Sequence, residues 1–196
     1  MSRSVGCTLI WLLIGILPAQ DISPVAQEMT ITRLIESLHG DPWPGAENNC
    51  NPACWDFKFT EPMKTLLKIG TPAQQPLINR LPDPAITDQV IVLLGGVGDE
   101  RSVEPIIKAM QLASSDAPDW RKKILRAGNL ALTNITVADV IWHHGGGIAI
   151  DACPNDPAEC WSKWWERNGT TFRVSAIKQS RRYTNYPDYG IYRGLP

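Results

Sequence analysis

Apolar residues along this chain recur at intervals of three and four, the spacing of one helix face, and no stretch alternates in the two-residue rhythm of a strand. Ile31, Leu34, Ile35 and Leu38 open the series, and Gly40 predicts its end. Met63, Leu66 and Leu67 form a second stripe that stops at Gly70. Thr71-Pro72 then reads as a helix start, with Thr as cap and Pro at the first helical position, where its missing N–H costs nothing. Ala73, Leu77, Ile78 and Leu81 are the apolar set that follows. Asp83-Pro84 repeats the start signal ahead of Ile86, Val90, Leu93 and Leu94, and the run Gly95-Gly96-Val97-Gly98 predicts a break. Asp99 predicts the cap of a helix bearing Val103, Ile106, Ile107 and Met110. A longer helix over about 118–133 places Trp120, Ile124, Ala127 and Ala131 on one side; Asp156-Pro157 starts a last one carrying Trp161, Trp164 and Trp165.

Short helices in pairs, joined by tight turns, predict an array of helical hairpins and not a bundle of long rods. An internal repeat supports this. The segment 66–81 matches 94–110 in order: helix, glycine turn, helix start, proline, two aliphatics. Gly70 and Gly98 lie 28 residues apart and Pro76 and Pro105 lie 29 apart. Both prolines fall beyond a helix start, where a missing N–H should kink the helix. A two-helix unit cannot bury its stripe alone, so such units stack on one another.

The segment Ile86 to Met110, with Leu93-Leu94, Gly98-Asp99-Glu100-Arg101 and Val103-Glu104-Pro105-Ile106-Ile107, resembles a HEAT repeat of the short bacterial type, often described as phycobilisome-lyase-like. The run Leu130 to Thr136, followed by Trp161 to Asn168, looks like the closing unit of exported HEAT-repeat proteins. The resemblance covers roughly residues 60–168, in motifs that are mostly hydrophobic spacing plus turn residues. It implies an all-α, armadillo-like α-solenoid of about three hairpins that binds other proteins along a groove, with no cofactor. A minority of that family act on bilin pigments, which gives the alternative of a lyase-like enzyme or chromophore-handling protein.

Hydropathy at the start of the chain adds a compartment. Arg3, an apolar run through Leu17 and then Pro18-Ala19-Gln20-Asp21 have the layout of a secretory signal peptide over 1–20. The run is shorter than the roughly 20 residues that span a bilayer, so cleavage near Ala19–Asp21 is expected, and the retained alternative is a signal anchor. Cys7 precedes the apolar run and so does not read as a lipidation site. An exported chain, periplasmic or extracellular, with no membrane span after signal removal is the expectation. The remaining cysteines, Cys50, Cys54, Cys153 and Cys160, then read as two disulfides pinning loops, most simply Cys50 with Cys54 and Cys153 with Cys160; the crossed pairings stay open. A net charge of −1 and a pI near 6.3 give no electrostatic case for nucleic acid. The chain thus divides into 1–20, an N-terminal helix and Cys-containing loop over 21–59, a HEAT-like domain over 60–168, and a Tyr/Arg-rich tail over 169–196 expected to be irregular.

Candidate chemistry is sparse. His143 and His144, with Asp139 before them and Gly145-Gly146-Gly147 after, could form a metal-binding module in a loop, although adjacent histidines rarely reach one ion and the plain reading is a solvated loop. His39 reads as a helix-end residue favoured by the dipole. No nucleophile elbow, phosphate loop or zinc helix is present, so no catalytic residue is assigned. Trp161, Trp164 and Trp165, with Trp142, offer an aromatic platform for a sugar or a cation, against the plain reading of a packed capping unit. Tyr183, Tyr186, Tyr189 and Tyr192, interleaved with basic residues, could form a recognition strip, since Tyr and Arg are enriched at binding hot spots. Asn134-Ile135-Thr136 and Asn168-Gly169-Thr170 match glycosylation acceptors. The expected function is non-catalytic binding or scaffolding of a protein partner that the sequence does not identify.

Overall fold

The computed structural model describes residues 23–40, 57–113, 118–136 and 156–173. These are helical, with no strand among them: α1 Pro24–Glu36, α2 Glu61–Ile69, a 3-10 turn Thr71–Ala73, α3 Gln74–Arg80, α4 Thr87–Val97, α5 Glu100–Leu112, α6 Pro118–Thr136 and α7 Pro157–Asn168. None of these helices is long and apolar enough to cross a membrane.

Helix ends follow local chemistry. Ser23 caps α1 by accepting from the Ala26 amide, Asp99 caps α5 by accepting from Arg101, and Asp156 caps α7 by accepting from Ala158. Two expected starts differ. Thr71 makes no side-chain cap, and the 3-10 turn tightens the chain before α3 begins at Gln74. Asp83 caps a turn through the Ala85 amide, and α4 begins only at Thr87, whose hydroxyl donates back to the carbonyls of Leu81 and Asp83. Gly95 and Gly96 do not break α4; the helix runs through them to Val97. The two repeat glycines end their helices for different reasons. Gly70 takes a φ of 75°, which a side chain resists. Gly98 is extended, but a Cβ there would lie 2.5 Å from both the Leu94 carbonyl oxygen and the Ser102 hydroxyl.

Every residue of α4 is buried, so it is a central rod and not a one-faced helix. It packs most extensively on α6. Trp120 at the start of α6 donates to the Pro84 carbonyl, and Asn134 near its end donates to the Gly95 carbonyl, so α4 and α6 run in the same direction. On the other side, α3 contacts α5 and α5 contacts α7. The core draws Met63, Leu66, Leu77, Ile91, Leu93, Leu94, Ile106, Met110, Ile124, Leu132 and Ile135, all essentially inaccessible.

The last unit departs from the expected hairpin. Arg121, near the start of α6, donates to the Ala113 carbonyl just beyond α5 and pairs with Asp156 at the start of α7. Farther along both helices, Trp161 donates to Asn129. So α7 runs parallel to α6 and antiparallel to α5. A hairpin would have reversed it relative to α6.

Candidate functional site

The antiparallel pairing of α5 and α7 sets the first two turns of α5 beside the end of α7. Between them lies a groove of about 620 Å³. Glu100, Arg101, Glu104, Pro105 and Lys108 form the α5 wall; Trp165, Gly169 and Arg173 form the other. The helical spacing of Glu100, Glu104 and Lys108 places them on one face of α5. Lys108 pairs with Glu104 at 3.1 Å.

Arg101 is held from behind. Its guanidinium pairs with Asp99 at 2.7 Å and donates to the Gln74 side-chain oxygen at 2.7 Å. The Gln74 amide in turn donates to Asp99 and to the buried Ser102 hydroxyl. Burial works against the Asp99 carboxylate, yet hydrogen bonds from Arg101 and Gln74 outweigh it and hold its pKa below the ordinary value. The same partner raises the Arg101 pKa.

Trp165 is fixed by its neighbours. Its ring stacks on Trp164 at 6.2 Å, and Phe172 meets both rings edge to face, at 5.5 Å from Trp164 and 6.2 Å from Trp165. Gly169 has helical angles, so any residue suits its backbone, but a Cβ there would lie 2.7 Å from Cε2 of Trp165. The missing side chain leaves the indole open to the groove.

A smaller groove of about 230 Å³ separates α1 from α3, lined by Glu28, Thr32, Ile35 and Glu36 on one side and Pro76, Asn79 and Arg80 on the other. Pro76 and Asn79 of α3 match Pro105 and Lys108 of α5 in the repeat. Each copy therefore turns its proline toward a groove.

Of the residues singled out from sequence, the structure brings Trp165 to the larger groove and packs Trp164 behind it, while Trp161 is buried. His39 is exposed beyond α1, its ring nitrogen bonded to the Ser37 carbonyl. Both acceptor-like asparagines are engaged: Asn134 on Gly95 and Asn168 on the Trp164 carbonyl. Cys160 sits in the first turn of α7 and its side chain is not free. The segment 1–20, Cys50, Cys54, Asp139, Trp142, His143, His144, Cys153, Tyr183, Tyr186, Tyr189 and Tyr192 lie outside the described residues. Among the described residues no cluster of His, Cys, Asp and Glu could hold a metal ion. Sequence reasoning missed Phe172, a core residue, and the groove faces of α5. A charged stripe at helical spacing gives no sign of which neighbour it confronts.

Comparison with family models, curated proteins and solved structures finds no match to this chain.

Proposed function

We propose that this chain is a non-catalytic binding or scaffolding protein of HEAT-repeat type, exported from the cytoplasm, whose partner is another protein. The observation that carries the reading is the equivalence of Pro76 and Pro105, each lining a groove at the edge of its helix. Alternate helices support a short α-solenoid in this reading: α2, α4 and α6 neighbour one another on one side, α3, α5 and α7 on the other. The α3–α5–α7 side is the partner face. Its exposed polar positions include Gln75, Asn79, Glu104 and Lys108. A disulfide joining Cys160 to Cys153 belongs to the same proposal, supported by the engaged state of the Cys160 side chain.

Affinity capture from envelope and secreted fractions, with the oxidised chain as bait, tests the reading. A specific protein retained by the wild-type chain and lost on Asn79→Trp, which fills the smaller groove, is the expected result. Capture that survives both Asn79→Trp and Arg80→Glu would remove the partner from this face.

A further inference from the structure

We propose that the α5–α7 groove is a saccharide site, taking a neutral, polyhydroxylated ligand against Trp165. This goes beyond the protein-partner reading, and neither depends on the other.

The lining selects the ligand by elimination. Glu100 and Glu104 stand opposite in sign to Arg101, Lys108 and Arg173, so the formal charges nearly cancel. A polyanion would meet two carboxylates and a polycation three bases. A large apolar group would strip water from charged heads with nothing to replace it. Sugar hydroxyls both donate and accept, so they can bond to carboxylates and to cations in one site. The C–H face of a pyranose ring packs on an indole, and Gly169 keeps that indole uncovered.

Two further features preorganise the site. Arg101 is locked by Asp99 and Gln74, so its remaining donors are presented without a search of rotamers. Pro105, inside α5, has no N–H to give to the Arg101 carbonyl one turn back, and both residues line the groove. The volume falls within the roughly 300–1,000 Å³ of small-molecule sites.

Isothermal titration of the full chain with cellotriose, chitotriose and maltotriose tests the proposal. A sulfated disaccharide and a short Lys/Glu peptide serve as competing chemistries. At least one neutral trisaccharide should bind. Trp165→Ala should weaken it roughly tenfold or more, Gly169→Ala should weaken it, and Trp165→Phe should largely retain it. Asn79→Trp, which tests the partner face, should leave saccharide binding unchanged. The proposal falls if no neutral trisaccharide binds, if binding is the same in Trp165→Ala with its helical circular dichroism intact, or if only the sulfated sugar or the peptide binds.

Discussion

Gln74, near the start of the helix in the first copy of the repeat, and Ser102, near the start of the helix in the second, are bonded to one another through their side chains at 2.9 Å in the protein interior. The first copy supplies the donor and the second the hydroxyl. Asp99 and Arg101 close the network around them. The join between the copies is thus polar at its centre, and it carries several consequences.

Gln74→Ala should destabilise the fold by about 1–3 kcal/mol, because it strands the buried Ser102 hydroxyl and strips a donor from Asp99. Urea denaturation of Gln74→Ala, Ser102→Ala and the double variant measures the coupling. Additive losses would show that the two side chains do not act as a unit.

Asp99 makes stability depend on acid. Its pKa is lower folded than unfolded, so its contribution is fully present above the unfolded value of about 3.9 and is lost as pH falls through the lower folded value. Asp99→Asn keeps a capping side chain but not the charge. The variant should be less stable than wild type at pH 7, with the gap narrowing below about pH 4. Unfolding at a series of pH values checks this; a constant gap would contradict it.

Gly128 lies where α6 presses on α5. A Cβ added there would fall on the sulfur and the γ-carbon of Met110, which is fully buried and has little room to yield. Gly128→Ala should cost about 1–3 kcal/mol by overpacking, despite alanine's better helix propensity. Met110→Ala in the same chain should recover part of the loss. Thermal melts of the single and double variants read the outcome directly.

Leu94→Ala and Ile106→Ala should each cost about 2–5 kcal/mol, since both side chains are fully buried. Leu112, 81% exposed at the end of α5, is the control, and Leu112→Ala should stay within about 0.5 kcal/mol. Equal losses at all three positions would overturn the core assignment.

The apolar periodicity is sufficient to place the seven α-helices of the described residues, because each stripe at three- and four-residue spacing has only one way to be buried. Met63, Leu66 and Leu67, or Val103, Ile106 and Ile107, are read as easily in sequence as in the structure. What the stripe omits is the rest of the surroundings. Nothing near Gly95 and Gly96 announces that helices will cover α4 on all sides and carry it through two glycines that would end an exposed helix. Nor does the stripe fix direction. Trp161, Trp164 and Trp165 predict a packed helix, but only Arg121 and Asn129 reveal which way it lies. The groove depends on that direction, so Trp165 was legible as a candidate and its companions on α5 were not.

The reversed course of α7 bears on how an array of this kind could grow. A duplicated copy of 71–98 placed between Gly98 and Asp99, ahead of α5, would follow a helix-ending glycine and precede the α5 cap, as the original does. A copy placed after α7 would meet a neighbour running the wrong way. Lengthening by tandem duplication is therefore an internal event for this architecture: new units enter in the middle, and α7 travels outward with them.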